Sequence, residues 1–163
     1  MNDNDNGEVT AGRVRALLAQ DGLNLLPTIE PAFALRDKKY LGGTLVIELC
    51  RHHAALLSIE AVLLDDAPWQ QWPLLLQIIN AFHNEHRWPT LVLDTAEHQV
   101  QAQYFAPARA GLTDAQLQDT IDCGTYAVTQ AATAFAAAYR ALNNDTVTHQ
   151  YHDVDLDVPH AET

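Results

Sequence analysis

The sequence predicts an α+β domain in which antiparallel strands alternate with three main helices. Three segments carry a helical apolar period, near residues 10–22, 70–87 and 113–142. Between them lie two pairs of strand-like runs, 44–51 with 54–64 and 90–94 with 99–106, each joined by a short link. With 48% hydrophobic residues in 163, the chain has enough apolar mass for one core without disulfide staples.

The first helix reads TAGRVRALLAQDG, with Val14, Leu17 and Leu18 on one face, Thr10 as its cap and Gly22 as its stop. Residues 23–36 then alternate apolar stretches with Pro27 and Pro31, the pattern of short, interrupted strands near a sheet edge. After Gly42-Gly43, TLVIELCR is a run of strand formers. In the run that follows, Leu57, Ile59, Ala61 and Leu63 share one face, with Ser58 and Glu60 on the other. Asp65-Asp66-Ala67-Pro68 closes the pair with turn residues.

The second helix carries the stripe Trp72, Leu75, Leu76, Ile79, Phe82, His83 and His86, and Trp88-Pro89 ends it. A hairpin around Ala96–His98 follows, with Val100, Ala102, Tyr104 and Ala106 on its apolar side. The third helix opens on a capping box, Thr113 with Gln116. From Leu117 its seam runs on with large residues (Ile121, Val128, Phe135, Leu142) alternating with Gly124, Ala131 and Ala138. Small residues at every seventh position favour a close globular contact or a dimer face over a coiled coil.

The net charge of −12 disfavours non-specific binding to nucleic acid or to anionic membrane surfaces. Residues 1–8 and 143–163 hold eight of the 21 acidic residues and none of the nine basic ones. The expected organisation is therefore a disordered acidic N-terminus (1–8), a mildly acidic single domain (9–142) and a flexible acidic tail (143–163). In the tail, Asp153, Asp155 and Asp157 alternate with Val154, Leu156 and Val158. That segment is expected to be disordered, or extended and able to add to a sheet edge. No secretory signal and no membrane-length apolar run is present, so a soluble cytoplasmic protein is expected.

Candidate chemistry is sparse. His83 and His86 share one helix face, and His149 and His152 repeat the spacing, but neither pair has a third ligand in register for a metal. The first pair extends the apolar stripe, which points to closing the end of the core. Asp153-x-Asp155-x-Asp157 opens like a calcium loop, yet Val158 stands where that loop needs glycine. Cys50 and Cys123 lack CxxC spacing and read as small core residues. Of the two, Cys50, beside Arg51, His52 and His53, has the better thiolate surroundings. No nucleophile elbow, phosphate loop or dinucleotide fingerprint occurs, so no enzyme, cofactor or metal site is assigned. Trp72 and Trp88 are expected in the core; Trp69 is open between folding over the helix start and anchoring a partner.

Arg13–Leu18 (RVRALL), Asn84–Pro89 (NEHRWP), Gly111–Leu117 (GLTDAQL) and Asp122-Cys123-Gly124, in that order over about residues 10–140, resemble the YbjN family. Members of that family carry the label of bacterial sensory-transduction regulators. The resemblance implies a twisted antiparallel sheet with packed helices, like the class I type III secretion chaperones, which act as homodimers and bind an extended partner segment. It brings no catalytic residue with it. The function expected is a non-catalytic cytoplasmic regulatory or chaperone-like protein, a homodimer that binds a protein or peptide. The alternative is a small-ligand or metal sensor using His83 and His86.

Overall fold

Leu57, Ile59 and Ala61 alternate along one strand and are all fully buried, which sets the inner face of the sheet. The computed structural model describes residues 7–20, 25–26, 32–36, 44–50 and 56–152, with side chains omitted at a few strand ends and from 144 onward. Its strands are β1 (Leu25–Leu26), β2 (Ala32–Arg36), β3 (Thr44–Cys50), β4 (Leu56–Leu64), β5 (Thr90–Asp94) and β6 (Gln99–Pro107). Its helices are α1 (Ala11–Gln20), α2 (Trp72–Glu85) and α3 (Asp114–His152), with a 3-10 turn at Trp69–Gln71. Every strand pairing is antiparallel, in the order β1-β2-β3-β4-β6-β5. The interrupted strands after α1 form the edge, as the prolines suggested. Gly22, both prolines, Gly42-Gly43, His52 and His53 lie outside the described residues.

The register carries the inner face across the sheet: Phe33, Leu45 and Ile47, then Leu57, Ile59 and Ala61, then Val100 and Ala102, then Leu91. All three helices contribute to the same core, through Val14 and Leu18 of α1, Leu75 and Ile79 of α2, and Leu117, Val128 and Phe135 of α3. This is a two-layer arrangement, helices over one face of a sheet. A bulge between Val62 and Leu64 ends the regular pairing of β4 with β6. Beyond it the Ala67 N–H bonds the His98 carbonyl at 2.6 Å, tying the end of β4 to the β5–β6 turn.

The buried arc of α2 is Leu75, Ile78, Ile79 and Phe82, rotated from the expected stripe toward Ile78, while Leu76 is exposed. The cause is that α2 packs against both β5 and α3, so its α3 side is buried as well. Trp88, expected in the core, is 66% exposed; Pro89 takes the buried position, and the indole lies parallel to the Tyr104 ring at 6.1 Å. Trp72 is half-buried and donates its indole N–H to the Ala67 carbonyl at 3.2 Å.

The capping box at α3 forms as read. The Thr113 N–H donates to Gln116 Oε1 at 2.9 Å, and the Gln116 N–H donates to Thr113 Oγ1 at 3.2 Å. The seam faces the chain's own sheet and α2, so the small residues serve a contact within the chain: a Cβ at Gly124 would overlap Ile59 and Tyr104. One position earlier, Cys123 is turned about 100° around the helix. It is therefore exposed rather than a core residue, with Sγ 4.0 Å from Asp119 Oδ1.

Helix α3 continues past Leu142 to His152. Gly7 and Glu8 join the body, because Arg13 Nη1 bonds both of their carbonyls at 2.8 Å. No described helix is long and apolar enough to cross a membrane.

Candidate functional site

On the outer face of the sheet, the register aligns Ala32, Glu48, Ser58 and Phe105 in one row, and Ala34, Val46, Glu60 and Gln103 in the next. All three helices lie on the inner side, so no described element covers this face. It is mixed in character. Phe105 is 45% exposed and Val62 38% exposed, Val46 is half-buried, and Ser58 is buried between its neighbours. The Ser58 hydroxyl donates to the Glu48 backbone carbonyl at 3.4 Å. Along β6 a ladder of amides runs one way. Gln103 donates to Gln101 at 3.0 Å, Gln101 to Gln99 at 3.1 Å, and Gln99 to the Asp65 carboxylate at 2.9 Å.

Burial pushes the Glu60 carboxyl above its ordinary value. The Ser58 hydroxyl opposes that shift when it turns its one proton from the Glu48 carbonyl to the carboxylate, and the negative charge of Glu48 adds to it. The folded state therefore holds the Glu60 proton more tightly than the unfolded chain does. The consequence is that stability falls as pH rises from the ordinary glutamate range through the raised folded value. Glu60→Gln is expected to raise the melting temperature at neutral pH, with the gain vanishing in acid below the ordinary glutamate range. Thermal unfolding of both proteins across pH checks this; a gain of equal size in acid contradicts it.

The histidines singled out by spacing are engaged within the fold. The Leu91 N–H donates to His83 Nε2 at 2.9 Å, joining α2 to β5. His86 stacks on Phe82 with ring centroids 4.4 Å apart, and its Nδ1 lies 3.2 Å from the Phe82 carbonyl, which only accepts. Both residues are exposed, so they sit on the rim of α2 rather than closing the core as expected. A metal taken up through His83 Nε2 would break the bond to Leu91. Among the described residues no three His, Cys, Asp or Glu side chains gather as ligands. His149 and His152 lie on the backbone of α3, and their side chains, like that of Cys50, are outside the description; so is the Asp153–Asp157 segment.

Two further features belong to the helix layer. An open groove of about 410 Å³ runs between α2 and α3, lined by Ile78, Phe82, His86, Phe135, Ala138 and Leu142. Beside the sheet edge, Trp88, Tyr104 and the exposed Cys123 cluster. Partial burial, then the negative charges of Cys123 and Asp119, push the Tyr104 hydroxyl above its ordinary value. Sequence reasoning missed the outer face because its composition reads as a solvated strand side; the signal was Phe105 standing among the polar alternates of β6.

No family model and no curated protein matches the chain by sequence. In structure it is similar to the crystal structure of YbjN from E. coli, described as "a putative transcription regulator", with a TM-score of 0.66 at 13% identity over 82% of this chain and 96% of that one. At that identity the likeness speaks for architecture: this chain has a YbjN-like α+β fold, antiparallel sheet and three helices together.

Proposed function

We propose that the chain is a non-catalytic cytoplasmic regulatory or chaperone-like protein that binds another protein or a peptide segment and works as a homodimer. The observation that carries this reading is the outer sheet face, on which Phe105 and Val62 stand exposed with no described element over them. A sheet with apolar residues on a face buries that face against another element. Aromatic side chains presented to solvent are the usual anchors of protein interfaces. Trp69 and Trp88, each 66% exposed, supply further anchors on the helix side, where a second copy can meet them.

YbjN's description as a transcription regulator supports a regulatory role. In this chain the charge of −12 opposes contact with phosphate backbones, so regulation here runs through protein contacts. The rival is a small apolar ligand in the α2–α3 groove. Gln77, Glu85 and His86 stand in its lining, but the groove is open, whereas ligand pockets enclose most of their ligand.

Sedimentation velocity over a range of concentrations, with mass spectrometry of what co-purifies from the native host, tests the reading. A species of twice the monomer mass carrying a bound protein is expected. A monomer at every concentration with nothing bound overturns it.

A further inference from the structure

The outer sheet face has a distinctive chemistry, apolar ground with acceptors and carboxylates set in it. Glu48 and Glu60 stand on adjacent strands, one register row apart, on either side of the buried Ser58. The amide ladder spends the NH2 groups of Gln103, Gln101 and Gln99 in one direction, toward Asp65. Its open end is the Gln103 side-chain oxygen, directly across the strand pair from Glu60. The polar centre of the face thus offers acceptors and negative charge. Phe105, Val62 and Val46 surround it. No lysine or arginine whose side chain is described lies on this face. Arg36 stands on it by register, two strands from β4.

Charge decides among the possible occupants. A second copy applied face to face would set Glu48 and Glu60 against the same pair. The 153–157 segment, with Asp153, Asp155 and Asp157, would bring more negative charge. Both meet like-charge repulsion. A partner whose cations reach Glu48 and Glu60 while its apolar side covers Phe105 and Val62 satisfies both components. A helix laid on a sheet covers such a face, and it would complete a third layer here.

We propose that the outer sheet face docks a basic amphipathic helix of a partner protein, with its lysines or arginines against Glu48 and Glu60 and its apolar stripe on Phe105 and Val62. This rests on the protein-binding reading above and names the chemistry of the partner. Holding Glu60 half-buried beside a second carboxylate works against the folded state at neutral pH, and a cation from the partner relieves that repulsion.

The test is fluorescence anisotropy with two synthetic amphipathic helices, one of leucine and lysine, the other with glutamate in place of lysine, titrated with the full chain and its variants. The lysine helix binds and the glutamate helix does not. Phe105→Ser weakens binding about tenfold, the loss expected for an interface anchor. Glu60→Gln weakens it by a similar factor. Tyr126→Ser, which removes an exposed aromatic ring from α3, leaves it unchanged. Circular dichroism confirms that each variant is folded, and Val62→Ser replaces Phe105→Ser if that variant is not. Equal binding of the two helices overturns the proposal. So does binding that responds to Glu60→Gln but not to Phe105→Ser or Val62→Ser, since that is attraction to a polyanion alone. If the lysine helix fails while the native chain still sediments as a dimer with a bound protein, the docking assignment falls and the protein-binding reading stands.

Discussion

Gly124→Ala is expected to destabilise the fold, although alanine is the better helix former by about 1 kcal/mol. Residue 124 lies inside α3 where the helix crosses β4 and β6. A Cβ there would stand 2.6 Å from Tyr104 Cδ1 and closer still to Ile59 Cδ1, inside contact distance for carbon. Ile59 is fully buried and has little room to yield. Tyr104 is held between the helix and the parallel ring of Trp88. Overpacking of this kind costs about 1–3 kcal/mol; contact this close, against a fully buried Ile59, belongs toward the upper end, so after the propensity gain the net expected loss is up to about 2 kcal/mol. Gly124→Val, with two more carbons and a poorer helix propensity, loses more. Ile59→Val deletes the clashing methyl and by itself costs about 1 kcal/mol. In the double variant the two losses are expected to fall short of their sum, because each relieves the other. Urea unfolding of the four proteins reads the cycle. A stabilising Gly124→Ala, or strict additivity, contradicts the close approach of helix and sheet.

Arg13→Ala is expected to cost about 2–3 kcal/mol, in the range for hydrogen bonds made by a charged group. The guanidinium bonds the Gly7 and Glu8 carbonyls through Nη1, the Leu112 carbonyl at 2.8 Å through Nη2, and the Asp114 carboxylate through both Nε and Nη2. It thereby joins the start of the described chain, α1 and the first turn of α3. The ion pair is the lesser part. Asp114 is 73% exposed, so that half is screened by solvent, and Asp114→Asn is expected to cost under about 1 kcal/mol. The carbonyls carry the rest, because they need several donors in one plane. Arg13→Lys therefore recovers little of the loss. Urea unfolding ranks the three variants. Hydrogen exchange at the Leu112 amide, which bonds the Gly7 carbonyl at 3.1 Å, is expected to speed up in Arg13→Ala well before global unfolding. A full effect from Asp114→Asn, or rescue by lysine, contradicts this ranking.

Periodicity was a good guide wherever one face of an element is buried and the other is not. Val14, Leu17 and Leu18 in α1, the alternation in β4 and β6, and the seam of α3 from Leu117 to Phe135 were all legible, as was the capping box, which is local. Legibility failed where a residue's position depends on two neighbours at once. Ile78 is buried because α3 lies beside α2, which α2's own sequence does not record. Trp88 and Cys123 were assigned to the core on their chemical type, whereas their rotation around chain and helix sends them outward. His83 and His86 were read as continuing the buried stripe, yet both are exposed, and their contacts with Leu91 and Phe82 were not legible either.

Element type, order and the apolar faces of this chain follow from the linear pattern, because they depend on dihedral preferences and on a spacing of two or of three to four residues. The absence of a known catalytic motif was likewise readable from the chain alone. Which face of the sheet the three helices cover is a different kind of fact. It depends on how α1, α2 and α3 crowd to one side through contacts between residues distant in sequence. That crowding leaves Phe105 beside Glu48 and Glu60 on the open side and turns an unremarkable polar alternation into a surface with a definite chemical preference. Whether the second face of the sheet is covered as well is a property of the assembled layers, and the alternation along a strand does not record it.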